Sequence, residues 1–249
     1  MKVSKKKQQE PTLLMVNPSI NSILKIGHRG AKGYEPENTL LSFQKALDLK
    51  VDAIELDIHL SLDGEIIVIH DETINRTTNG KGFVNTLSLP ELKAFRIEDE
   101  HHIPTLTEVF DLINQQCLIN IEIKGKGITK AVVELIELYV ATKNWKYNHF
   151  LISSFDWISL LDIHLLNPEI PLGVLTEYDL KLAFAFAKFI DAKSINAHYH
   201  LLSKEMTTQM QEAGFQVYAW TVNEHEDIQK IKSFNVNGII SDFPDRISF

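Results

Sequence analysis

The chain has 249 residues, 44% hydrophobic and 23% charged, the composition of an ordinary globular protein that needs no disulfide or structural zinc to fold. Lys and Arg number 25 against 33 Asp and Glu, a formal net charge of -8. That balance argues against a nonspecific nucleic-acid binder, which needs a basic face, but not against a small phosphate compound met by a local cation.

The single cysteine, Cys117, rules out an internal disulfide framework and argues against a Cys/His zinc site. Its apolar neighbours, Leu118 and Ile119, mark it as a small buried hydrophobe rather than a nucleophile. Residues 1–21 read as a polar arm opening with a lysine cluster, and its apolar stretch at 13–16 is too short for a signal peptide. No run approaches the roughly 18 apolar residues of a membrane span. The expectation is a cytoplasmic protein with no transmembrane segment.

In chain order, a short apolar run at 23–27 leads into His28-Arg29-Gly30. A helix is expected over 39–49, with Asn38 as its cap, and a strand over 52–60. A second short β-branched run follows at 66–69, then a helix over 106–114 started by Pro104-Thr105. Strands at 118–123, 150–153, 172–175, 194–197, 216–221 and 238–241 alternate with helices at 129–142, 156–166, 180–188, 204–213 and 224–234. Gly214 stops one of these helices. With 66–69 set aside as an excursion, eight strands alternate with helices, the pattern of a parallel sheet covered by helices. About 250 residues is the size of one (β/α)₈ barrel. Only 243–249 follows the last strand, so the eighth helix can be no more than a short turn, and the N-terminal arm is a candidate to cover that gap.

Residues 61–103 are too long for an ordinary strand–helix loop. Leu62-Asp63-Gly64 signals a hairpin turn, and Thr77 to Gly82 is a polar loop. The segment is expected to form a small subdomain over the C-terminal mouth of the barrel.

Side chains alternate along a strand. In the strand at 52–60, Glu55, Asp57 and His59 share one face, while Ile54, Leu56, Ile58 and Leu60 share the other. In the strand at 118–123, Asn120 and Glu122 face the same way as Lys124. A strand covered on both sides should be apolar throughout, and clustered carboxylates are costly there without a counter-charge. Adjacent strands can bring Glu55, Asp57 and Glu122 together, and an all-oxygen set suits a hard cation, Mg²⁺ or Ca²⁺. A half-open antiparallel sheet would also expose polar faces, but it leaves unexplained why both lie beside the His-Arg-Gly and Ile-Lys-Gly loops.

His28 and His70 each stand where a strand opens into a loop. Arg29 beside the first is a phosphate fork, and Asp71 beside the second can orient its ring. His59 reads as supporting or lining, and His101 and His102 as solvated. Trp220, on one face with Tyr218, is a possible pocket wall.

These motifs resemble the glycerophosphodiester phosphodiesterases. The resemblance runs through Ile26-Gly27-His28-Arg29-Gly30, Pro36-Glu37-Asn38-Thr39, Asp52 to Asp57, Val68-Ile69-His70-Asp71-Glu72 and Arg76 to Gly82. It continues in Ile103-Pro104-Thr105-Leu106, Ile121-Glu122-Ile123-Lys124, Ala219 to Asn223 and Gly238 to Asp245. Residues 141–193 depart from it apart from Ser153-Ser154-Phe155.

The resemblance implies a (β/α)₈ TIM barrel over 22–249 with a small insertion after strand 2. It implies that Glu55, Asp57 and Glu122 match metal ligands, His28 and His70 the acid and base, and Arg29 and Lys124 phosphate-binding residues. The implied reaction is hydrolysis of a glycerophosphodiester to glycerol 3-phosphate and an alcohol. A lysophospholipase D acting on lysolipids is the alternative. A glycoside hydrolase is disfavoured because Glu55 and Asp57, two apart on one strand, would share one side of a sugar. A binding protein without catalysis would be expected to lose one of the histidines or carboxylates, and all are kept.

Overall fold

Residues 23–248 are described in the computed structural model, so the expected N-terminal arm, and with it any covering of the missing eighth helix, lies outside the described residues. Eight strands close a parallel barrel: β1 (Leu24–Gly27), β2 (Ala53–Leu60), β4 (Leu118–Ile123), β5 (Phe150–Ser154), β6 (Leu172–Thr176), β7 (Ser194–His198), β8 (Gln216–Trp220) and β9 (Gly238–Ser241), with β9 pairing back onto β1. The remaining strand, β3 (Ile66–Val68), runs antiparallel along the far half of β2, from Ile58↔Val68 to Leu60↔Ile66. The turn between them is closed by Ser61 N–H to the Glu65 carbonyl at 2.9 Å, and Gly64 at φ +87° supplies the left-handed residue it needs.

Helices α1 (Leu40–Asp48), α3 (Leu106–Ile113), α4 (Thr129–Thr142), α5 (Trp157–Leu166), α6 (Leu180–Phe189), α7 (Lys204–Glu212) and α8 (His225–Ser233) cover the outside. After β9 only a 3₁₀ turn, Pro244–Ser248, follows within the described residues. The helix starts are chemically marked. Thr39, Asp156, Asp179 and Ser203 cap α1, α5, α6 and α7, and Thr105 with Glu108 forms a reciprocal capping box on α3. The cap of α1 is Thr39, not Asn38 as the sequence suggested. Asn38 is buried at φ +57°, and its amide is turned inward instead.

Strand alternation sorts the core. Ile54, Leu56, Ile58, Ile119, Ile121 and Ile123 face the helices in one continuous apolar layer. Inside the barrel a smaller cluster, Ile26, Ala53, Leu151, Tyr218 and Ile240, forms an apolar floor. The insertion after β2 buries a third cluster, Ile67, Ile69, Ile74, Val84, Leu92, Ile97 and Ile103. It also holds a short helix not among those expected from the sequence, α2 (Leu89–Ala94), started by a Ser88–Glu91 capping box.

Candidate active site

Above the apolar floor the barrel interior turns polar. A cavity of about 370 Å³ opens there, lined by His28, Arg29, Glu55, His70, Asn120, Glu122 and Lys124, with Ser153, Phe155, Leu175, Glu177, Trp220, Thr221 and Ile240 completing its walls. Most of these residues sit at or just past the C-terminal end of a barrel strand, the face on which this fold places its chemistry.

The β2–β4 register sets Asp57 directly beside Glu122, and Glu55 beside Asn120. One carboxylate oxygen from each of Glu55, Asp57 and Glu122 lies within 4.8 Å of the others. Glu55 is 3% exposed, Asp57 1% and Glu122 8%. Glu55 Oε2 accepts the Arg29 backbone N–H at 2.9 Å, and Asp57 Oδ2 accepts the Asn38 amide at 2.9 Å. Glu55 Oε1 and Asp57 Oδ1 are buried without a hydrogen bond. Glu122 Oε1 meets the Lys124 ammonium at 2.6 Å, which also stands 3.7 Å from Asp57 Oδ1. Arg29 Nε lies 3.3 Å from Asp57 Oδ2.

Burial, then the Asp57 and Glu122 charges, push the Glu55 carboxyl well above its usual range. Burial and Asp57 raise Glu122 to about 7 against the pull of Lys124. Lys124 itself loses basicity to burial and regains more from Glu122 and Asp57, ending raised. When all three acids are ionised they outnumber Arg29 and Lys124 by one negative charge, and buried oxygens of Glu55 and Asp57 lack a hydrogen bond. That donor set fits a hard divalent cation.

The histidines flank this cage. Arg29 (φ +49°) and Gly30 (φ +86°) double the chain back after β1, and a Cβ on Gly30 would fall 2.4 Å from Ser42 Oγ. That turn delivers the His28 ring with Nδ1 at 2.5 Å from Asp242 Oδ1 and Nε2 at 3.9 Å from Glu55 Oε2. Asp242 is itself raised by burial but more strongly lowered by His28 and the cations and amides around it, so it is an acceptor and His28 Nδ1 carries the proton. Its Oδ2 accepts the Asn223 amide at 2.9 Å. His70 repeats the arrangement, with Nδ1 at 2.7 Å from Asp71 Oδ1. Both rings thus keep Nε2 free. Burial lowers the pKa of each, partly offset by the carboxylates they face.

Trp220 is half-buried, donates Nε1–H to the Asn196 carbonyl at 2.9 Å, and meets Phe155 edge-on with ring centroids 5.5 Å apart. The Phe155 ring is 5.6 Å from Lys124 Nζ. Thr221, just past the end of β8, lines the cavity too.

Residues 28–246 match the model of the Glycerophosphoryl diester phosphodiesterase family. The chain belongs to this family. It therefore belongs with the phosphoric diester hydrolases. A glycerophosphodiester phosphodiesterase of Caldanaerobacter subterraneus subsp. tengcongensis is 36% identical over 233 residues, covering 90% of this chain and 96% of its own. One from Bacillus altitudinis is 37% identical over 235 residues, covering 88% and 94%. Among solved structures, an Oleispira antarctica phosphodiesterase in complex with the product sn-glycerol-3-phosphate superposes with a TM-score of 0.81 at 28% identity, covering 90% of this chain and 94% of its own.

Within this family member the structure brings all eight singled-out residues, His28, Arg29, Glu55, Asp57, His70, Glu122, Lys124 and Trp220, to one cavity or directly beneath it. His59 does not line the cavity. Its Nε2–H donates to the His70 carbonyl at 3.0 Å, a supporting contact. His101 and His102 lie along a separate groove with Leu40 and Leu41. Sequence reasoning missed Asn38, Asp242, Asn223 and Phe155. Asn38, Asn223 and Asp242 lie within the motifs that carry the family resemblance, but their contacts join residues 19 to 214 positions apart.

Proposed function

We propose that the protein is a metal-dependent glycerophosphodiester phosphodiesterase, releasing glycerol 3-phosphate and an alcohol, with the catalytic unit extending from about residue 22 to 249 and including the insertion at 61–103. The observation that carries this reading is the triad of buried carboxylates Glu55, Asp57 and Glu122, one oxygen of each within 4.8 Å of the others and Glu55 Oε1 and Asp57 Oδ1 without a hydrogen bond, beside two histidines held at Nδ1 by Asp242 and Asp71. Glu55, Asp57 and Glu122 would hold Mg²⁺ or Ca²⁺, which supplies Lewis-acid polarisation of a phosphate oxygen when bound.

The chain's own groups do the rest. Arg29 and Lys124 offer N–H donors to the phosphate and bear charge that grows in the transition state. One of His28 and His70, neutral, accepts the nucleophile's proton at Nε2, and the other, protonated, gives its proton to the departing alcohol oxygen. Asp242 and Asp71 hold each ring in the tautomer this needs and stabilise its cationic form. The same pair serves whether the nucleophile is water or the adjacent glycerol hydroxyl, whose attack forms a cyclic phosphate that water then opens. Trp220 walls the pocket against the glycerol or the headgroup.

The test is release of glycerol 3-phosphate from glycerophosphocholine, assayed as purified, after EDTA, and after return of Mg²⁺ or Ca²⁺. Loss with chelation and recovery with metal is expected; turnover indifferent to EDTA would remove the metal from the reading. Lysophosphatidylcholine assayed in parallel separates this activity from a lysophospholipase D.

A further inference from the structure

Arg76 stands outside the cavity lining, and its side chain is 48% exposed, yet each of its guanidinium nitrogens is committed. Nε donates to Asp71 Oδ2 at 2.7 Å, and Nη2 to Asp71 Oδ1 at 3.0 Å. On its other edge Nη1 donates to Glu37 Oε2 at 3.0 Å, and Nη2 to Glu37 Oε1 at 2.8 Å. Both carboxylates are therefore gripped by two parallel bonds, the geometry that a planar guanidinium favours and an ammonium cannot copy.

Each carboxylate has a second partner in the cavity. Asp71 Oδ1 takes the Nδ1–H of His70 at 2.7 Å. Glu37 Oε1 takes Nη1–H of Arg29 at 2.8 Å. Asp71, His70 and Arg76 belong to the insertion, whereas Glu37 and Arg29 belong to the loop between β1 and α1. The ion-pair chain His70–Asp71–Arg76–Glu37–Arg29 therefore crosses the seam between two regions that bury separate apolar cores. Burial alone would raise the Glu37 carboxyl, but Arg76 and Arg29 outweigh it and hold it down at about 2, so it stays an acceptor throughout the neutral range. Isolated exposed pairs contribute little to stability. Two bidentate pairs sharing one guanidinium fix direction instead, and direction is what His70 and Arg29 require.

We propose that Arg76 is a positioning residue that fixes the His70 ring and the Arg29 guanidinium relative to one another across the seam between insertion and barrel. Its effect on turnover rests on the phosphodiesterase reading; its effect on His70 does not.

The experiment compares the parent, Arg76→Gln and Arg76→Lys in the full chain with Mg²⁺ present. Readouts are kcat and KM on glycerophosphocholine, the thermal midpoint, and the imidazole resonances of ¹⁵N-histidine protein. Arg76→Gln is expected to lower kcat about 10- to 100-fold with a smaller change in KM, the usual size of effect when reacting groups are misplaced without being removed. Arg76→Lys should recover only part of it. In both variants the His70 Nδ1–H resonance should lose the shift and slow exchange of a proton held by Asp71. An unchanged His70 resonance overturns the proposal whatever the kinetics, and so does a kcat loss no larger than the loss of folded protein. A parent inactive on every glycerophosphodiester would sink the phosphodiesterase reading, and the His70 spectrum alone would then decide the role of Arg76.

Discussion

The barrel and the insertion hold their halves of the site by different means. In the barrel, register does the positioning: β2 and β4 pair over six consecutive positions, from Ala53↔Leu118 to Ile58↔Ile123, and this fixes Asp57 against Glu122. A strand ladder is rigid enough to keep like charges together against their repulsion. Among the described residues the regular elements of the insertion are short: a three-residue strand, a three-residue 3₁₀ turn at Val84–Thr86 and a six-residue helix. Beyond these it is tied by isolated bridges, such as Thr73↔Phe83 and Thr78↔Ile97, and by side-chain contacts such as Asp63 accepting the Leu89 N–H. The metal-type cage thus stands on the stiff region and His70 on the softer one. Local opening should be easiest where regular pairing is sparse.

The largest effect should come from the stiff region. Glu55→Gln is expected to lower kcat about 10²- to 10³-fold, the scale seen when one electrostatic stabiliser of a transition state is removed. In EDTA the same substitution should raise the thermal midpoint, because the amide escapes the cost that burial and the Asp57 and Glu122 charges impose on the Glu55 carboxyl. Activity and melting measured on one preparation test both halves. A variant that keeps parental kcat would break the assignment of the cage.

The next prediction separates the two cores. Leu92 is fully buried in the insertion and Ile163 is fully buried on the inner face of α5. Each change to Ala removes about 2–5 kcal/mol from its own region. Leu92→Ala should reduce kcat and open 61–103 to limited proteolysis while the far-UV melting curve of the barrel moves little. Ile163→Ala should lower the global midpoint and leave activity per folded molecule near normal. Equal behaviour of the two variants would show that the regions unfold as one.

Trp220 comes third. It packs against the barrel floor, yet it also lines the cavity. Removing a purely core tryptophan costs about 3–5 kcal/mol. As a wall, Trp220→Ala should cost less stability and mainly lower kcat/KM. A large drop in the urea midpoint with near-normal kinetics would return Trp220 to the core.

The difference in stiffness also explains what could be read from the sequence. The barrel was legible because strand alternation writes its inner face directly: Glu55, Asp57 and Glu122 are polar exactly where parity points inward. The eight-strand count needed only the recognition that 66–69 is an excursion. Asn38 was misread because a polar residue before an apolar helix resembles a cap, and only the fold shows Thr39 capping while Asn38 reaches Asp57. The partners of the histidines split the same way. Asp71 is adjacent to His70 and was visible, whereas Asp242 lies 214 positions from His28 and becomes its neighbour only when β9 closes onto β1. Helix α2 was lost because six residues carry too little periodicity to be distinguished from a loop.

The smallest expected effect contrasts two ionisable groups at opposite ends of the barrel, one buried and one half-buried. Glu55, at the mouth, is surrounded by charge. Cys117 lies just before β4, at the other end, packed against the apolar layer beneath the helices. Burial, then the Asp52 charge, pushes its thiol from 9.0 up to about 12. The native thiol should therefore label slowly at pH 8, and the urea-denatured chain rapidly. The linkage has a definite sign. Below pH 9 both states keep the proton, so Cys117 gives stability no pH dependence there. From 9 toward 12 the unfolded chain loses its proton first, so stability falls as pH rises, by at most about 1.4 kcal/mol per unit from this group. Lysines and tyrosines titrate in the same window, so the measurement is the difference between the parent and Cys117→Ala in urea midpoints at pH 8, 9.5 and 10.5. The gap between the two should move in favour of the alanine variant as pH rises. A constant gap, together with fast labelling of the native protein, would mean that the thiol meets water and that this end of the barrel is looser than its packing indicates.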